Sequence, residues 1–131
     1  MPATASTLTI DLATKKVTVS GSLAIREKVT VTLVNLGGST ASNLSLRLLN
    51  GAETMAFCLV FTASGDTAVG TMDLSAAALI AIFDADEDRP DAKRQLHITV
   101  WDKGVRKCLV HHQVDISNCV YTTTMTAPTP L

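Results

Sequence analysis

Three histidines stand in the last third of the chain: His97 in "LHITVWD" and the adjacent pair His111-His112 in "CLVHHQVDI". Imidazole is the commonest side-chain metal ligand and the usual proton carrier near neutral pH, so these residues come first in a search for chemistry. Both stretches alternate apolar and polar residues, which reads as strand, and neighbours on a strand point to opposite faces. His111 and His112 therefore cannot hold one metal between them. His97 lies on the strand that the turn "DKG" joins to theirs, so it is placed to meet one of the two across the pair. Two histidines with no fixed third ligand fall short of a zinc site, which takes at least three protein ligands.

The second constellation is "DADEDRPD", where Asp84, Asp86 and Asp88 have the 1-3-5 spacing of a calcium loop. Such a loop needs glycine at its sixth position and a bidentate glutamate at its twelfth. Arg89 and Gln95 stand there instead. No metal is expected, and these three carboxylates are the nearest approach to a cation site. They follow a helical pattern, where negative charge opposes the helix dipole, and Arg89, Lys93 and Arg94 are placed to compensate.

The remaining chemistry is excluded more quickly. Cys58, Cys108 and Cys119 are odd in number and widely spaced, unlike a disulfide framework. Cys58 in "AFCLVF" is expected to be buried as a small hydrophobe. Nucleophile elbows, Walker loops and dinucleotide glycine patterns are missing, and "GGST" at 37–40 has no Lys-Ser/Thr pair or helix after it. The net charge is −1, and the aromatic residues, 4% of the chain, are not interleaved with basic ones. Binding to nucleic acid or to a membrane is therefore not expected. With no convergent polar cluster, the chain reads as a non-enzyme with no catalytic residue and no cofactor. "AAALIAIF" is far too short to span a bilayer. "MPATAST" lacks the basic start and apolar run of a signal peptide.

The elements that carry these residues follow from periodicity. At 131 residues, 47% hydrophobic and 18% charged, the chain is one globular domain. "LTIDL" and "VTVSG" alternate around the polar break "ATKK" and predict a hairpin. "KVTVTLVNL" puts Val29, Val31 and Leu33 on one face. Leu44, Leu46 and Leu48 alternate into Asn50-Gly51, a tight-turn signal because both residues tolerate positive φ, with a bulge if "GAE" belongs to the loop. "MAFCLVF" is apolar at both parities, which predicts a central strand or one that faces a partner. "TAVGTMDL" is another strand. "SAAALIAIF" changes period to a short helix, with Ser75 at its N-cap and Leu74 stapled to Leu79. Pro90 bars its continuation. Leu96, Ile98 and Val100 lead into "DKG", where Gly104 is expected to supply the positive φ, and Val105 to Ile116 returns.

About eight strands, one short helix near residues 75–85 and turns every eight to twelve residues predict an all-β, antiparallel sandwich, immunoglobulin-like in outline. The Cys-Trp-Cys arrangement of true immunoglobulin domains is absent. The sandwich is expected over residues 8–121, between an N-terminal arm at 1–7 and an extended Thr/Pro arm at 122–131. "CVYTTTMTAPTPL" carries no charge. Tyr121 marks where the sandwich ends, and Pro128 and Pro130 keep the tail from pairing as an ordinary strand. Thr122, Met125, Pro128, Pro130 and Leu131 are the residues it offers to a partner.

The ordering of "LTIDLATKKVTVSG", "LSAAALIAIF", "LHITVWDKGVRKCLVHHQVDI" and "SNCVYTTTMTAPTP" resembles small β-sandwich proteins of tailed-bacteriophage virions. These are capsid decoration proteins and the N-terminal sandwich domains of baseplate and tail-fibre proteins. The resemblance covers most of the chain and rests on strand and turn order. It implies a structural role in a virion, foremost capsid decoration and alternatively a tail or baseplate adaptor. The partners would be other virion proteins or further copies of the chain, and there are no catalytic residues to carry over. A bacterial ligand-binding or adhesin-like sandwich module is a further alternative.

Overall fold

A computed structural model describes residues 6–21, 23–58, 61–86, 88–89 and 92–118. Among them the chain forms nine strands and one short helix. The strands are β1 (Thr7–Asp11), β2 (Val17–Ser20), β3 (Lys28–Val34), β4 (Leu44–Asn50), β5 (Glu53–Cys58), β6 (Thr62–Ser64), β7 (Thr67–Asp73), β8 (Lys93–Asp102) and β9 (Lys107–Ser117). The helix α1 is Ala77–Ala81. They build two open sheets, one of five strands in the order β2-β1-β3-β7-β6 and one of four in the order β5-β4-β8-β9.

Alternation decides which side of each sheet is dry. Leu8 and Ile10 on β1, Val29, Val31 and Leu33 on β3, and Ala68 and Met72 on β7 are all fully buried. Leu46 and Leu48 on β4 face Val100 and Ile98 in register, and these four are equally buried in the second sheet. The two inward faces form one core, which Leu74, Leu79 and Phe83 close from the α1 segment.

One pairing departs from the antiparallel expectation. β1 and β2 form the expected hairpin, but β3 lies beside β1 and parallel to it, with Leu8 opposite Val31 and Ile10 opposite Leu33. The segment before β3 explains this. Leu23, Ala24 and Ile25 are buried, and the Ile25 and Ser117 amides donate to the Ser117 and Leu23 carbonyls at 3.1 and 2.8 Å. The chain leaves β2, touches β9 of the other sheet and returns on the far side of β1. That crossover makes the first sheet mixed and ties the two layers together.

Local details shift as well. The β4–β5 loop is Gly51-Ala52, with positive φ at Gly51 alone, so glycine holds the first central position as in a type II′ turn. Glu53 belongs to β5 and not to a longer loop, and the irregularity lies within the strands, where the ladder slips between Leu48 and Leu49. β5 lies at the sheet edge, not in the centre: Phe57 is 55% exposed while Ala56 and Cys58 point into the core. In the β8–β9 turn the positive φ belongs to Arg106, not Gly104. Glycine at 104 answers a close approach instead, since a Cβ there would meet Asn43 Nδ2 at 2.6 Å. The α1 N-cap is Ala76, with no side-chain cap, because Asp73 Oδ1 already accepts from the Ser75 amide at 3.0 Å and holds it in the preceding turn. The helix ends at Ala81, well before Pro90, which lies outside the described residues.

Two turns are held by carboxylates. The Asn35 side chain, aided by the Thr14 and Ala13 amides, keeps the Asp11 carboxyl below its ordinary 3.8. The Ser75 hydroxyl and amide, with the Lys28 charge, do the same for Asp73. A lowered folded value means that folding favours the ionised form. The stabilisation is then complete above the ordinary value and fades as pH falls through the lowered ones. Stability is expected to drop below about pH 4, and Asp73→Asn should flatten that slope in acid-denaturation curves. The core makes a separate demand. Ile98→Ala should cost about 2–5 kcal/mol by chemical denaturation, whereas Phe57→Ala, at an exposed edge, should cost less than about 1 kcal/mol.

Candidate functional site

The strand ladder places the histidines as parity requires. His111 sits opposite Thr99 and His97 opposite Gln113, so His97 and His111 are diagonal neighbours on the outer face of the four-stranded sheet. His111 Nε2 lies 3.0 Å from His97 Nδ1, with ring centroids 5.0 Å apart. One ring must be neutral at that contact to accept the proton that the other donates. His112 points to the other side of the strand, opposite Ile98. There it joins Val19, Lys93, Val114 and Asp115 along a cleft of about 290 Å³ between the β2 and β9 edges.

The acidic run is occupied by arginine. Asp86, in a short 3-10 turn at Asp84–Asp86, pairs with Arg94 and lies 3.6 Å from Arg89. Arg94 also stands 5.3 Å from the centre of the Phe83 ring, and Asn118 Nδ2 donates to the Asp86 and Arg89 carbonyls at 2.9 and 3.1 Å. These contacts fasten the end of the α1 segment to β8 and β9. Among the described residues no three His, Cys, Asp or Glu side chains stand together as a metal site would need. Asp84 and Asp88 are exposed and do not converge with Asp86 on one point.

The outer face of the four-stranded sheet has a different character. Arg47, Leu49, Thr54, Thr99, Trp101 and Cys108 frame a shallow hollow of about 440 Å³. Trp101 is 37% exposed, and Phe57, which pairs with Arg47 on the neighbouring strand, is more exposed still. No ion pair among the described residues engages Arg47. An arginine opposite Phe57 and diagonal to Trp101, with no ion pair among the described residues, suits a protein-contact surface, where such residues are over-represented. Sequence reading singled out neither Trp101 nor Phe57 as functional. The available signal was the double-parity apolar run around Phe57.

Thr122, Met125, Pro128, Pro130 and Leu131 lie outside the described residues, as do Cys119 and Tyr121. The described part of the N-terminal segment is already structured: Ser6 is buried, and β1 opens at Thr7. Compared with protein families, with curated proteins and with solved structures, the chain finds no match in any of the three.

If the Asp86 contacts are structural, calcium added at millimolar concentration should leave the thermal midpoint unchanged. Asp86→Ala should lower stability by about 1 kcal/mol in denaturant titrations, with or without calcium.

Proposed function

We propose that this chain is a non-enzymatic assembly protein, a rigid β-sandwich that makes protein contacts through its outer sheet face and its terminal arms. The observation that carries the reading is the outer face of the four-stranded sheet. It presents Phe57, Trp101 and Leu49 around an uncommitted Arg47, beside an edge strand with no charge inside it. Large aromatic groups left partly in water on an outer sheet face mark a surface that a partner covers. Two carboxylate contacts serve the fold. Asp86 anchors the α1 segment, and Asp102 Oδ1 accepts from the Gly104 amide at 2.8 Å to shape a turn.

The resemblance in strand and turn order supports a phage virion as the setting. Capsid decoration is the first reading, in many copies alongside other virion proteins. The uncharged Thr/Pro tail fits that role, because extended segments of this composition lose little entropy when laid along a neighbour. Removal of residues 122–131 should leave the melting midpoint of the sandwich within about 2 °C. The same deletion should weaken self-association or particle binding at least tenfold in sedimentation or pull-down with purified particles. Unchanged association after the deletion would count against the arm.

A further inference from the structure

His97 and His111 are 14 positions apart in the chain, and the pairing of β8 with β9 brings their rings together. The ladder sets Lys93–Asp102 against Lys107–Ser117, and its register shift falls between Val100 and Trp101. The stretch that holds the two histidines lies on the regular side of that shift. There His97 stands opposite Gln113, and Thr99 stands opposite His111. Folding therefore fixes the backbone beneath both rings. His111 is exposed and His97 half-buried, so an ion can reach the pair from solvent.

His97 Nδ1 and His111 Nε2 are 3.0 Å apart. Imidazole nitrogens bind first-row metal ions at about 2.0–2.1 Å. An ion bonded to both nitrogens at the present separation would see them about 95° apart. Tetrahedral zinc would need the nitrogens about 3.3 Å apart. Square-planar and tetragonal ions set neighbouring ligands about 90° apart, and copper(II) and nickel(II) favour those geometries. We propose that His97 and His111 form a two-point chelate for one divalent transition-metal ion of the nickel or copper class, with water in its remaining positions. This site does not depend on the assembly reading above.

Without an ion, one ring donates its proton to the other at this contact. Each imidazole keeps a second nitrogen, His97 Nε2 or His111 Nδ1, that can carry the proton instead. Both rings then stay neutral, and a modest ring rotation aims one lone pair from each at the ion. Once one nitrogen is bound, the other meets the ion intramolecularly, at the effective concentration that the paired strands set. His112 cannot join them, because it points to the other side of β9, opposite Ile98.

Two ligands do not make a closed metal centre, and among the described residues no third His, Cys, Asp or Glu converges on the pair. Arg47 stands opposite Thr99, and Asp115 lies two residues beyond Gln113 on the same face. Their charges are opposite, so the affinity has to come from the two nitrogens themselves. Each histidine should therefore matter about equally, which a surface that merely collects cations would not show.

The test titrates Ni2+ into the full, untagged chain by isothermal calorimetry, with Mg2+ as the comparison ion. One nickel site per chain is expected, and no magnesium binding under the same conditions, since magnesium takes oxygen ligands. His97→Ala and His111→Ala should each weaken nickel binding about tenfold or more, because either change leaves a single imidazole. His112→Ala and Cys108→Ser should leave it within about twofold. Nickel should also raise the melting midpoint of the natural chain but not that of the His97→Ala, His111→Ala double variant, because only the folded pair holds the ion. Melting curves without metal confirm that each variant is folded. Absence of nickel binding overturns the chelate. So does binding that survives either single substitution at His97 or His111, or binding that His112→Ala or Cys108→Ser weakens as much.

Discussion

Everything in this molecule depends on the parity of its strands. Val29, Val31 and Leu33 in one sheet and Leu46, Leu48, Ile98 and Val100 in the other are all fully buried, and each lies two residues from the next on its strand. A one-residue slip of any central strand would turn that set to water and bring Thr30, Thr32, Arg47 or Thr99 inward. The burial of those side chains therefore fixes register. It also fixes which residues face outward, and so what the surface can do.

The crossover at Leu23–Ile25 is the second consequence. Two stacked open sheets are held together mostly by side-chain packing, which leaves their edges able to part. Here the chain threads from the edge of one sheet to the edge of the other and hydrogen-bonds to Ser117 on the way. The Asp86–Arg94 pair and the Asn118 side chain do similar work on the α1 segment. With both layers tied, the outer face of the four-stranded sheet is a stiff platform. Phe57 and Trp101 on that platform have only two side-chain torsions each to freeze when covered.

Much of this was legible in the residues. The period-two runs gave the correct inward faces for β1, β3, β4 and β8, and the Asn-Gly region marked the β4–β5 hairpin. His97 and His111 meet because diagonal neighbours on paired strands share a face. Parity alone, however, says which side of a strand is apolar and not which strands are neighbours. That is why the parallel β1–β3 pair and the edge position of β5 were hidden. "GSLAIRE" has no strand-length alternation, so its buried crossover had no local signature. At Gly104 the controlling fact is a contact with Asn43, 61 residues earlier in the chain, which no turn propensity encodes. Ser75 looked like a helix cap because its composition fits one, but Asp73 takes its amide first. The outer-face hollow combines residues from four strands with the β4–β5 loop, so it emerged only once pairing was known.

Tryptophan fluorescence tests the central claim most directly, because the chain has one tryptophan and Trp101 stands on the outer sheet face itself. Quenching by acrylamide would be followed in dilute protein and in the associated form. The expected result is weaker quenching only in the associated sample. Equal quenching in the two samples would contradict it.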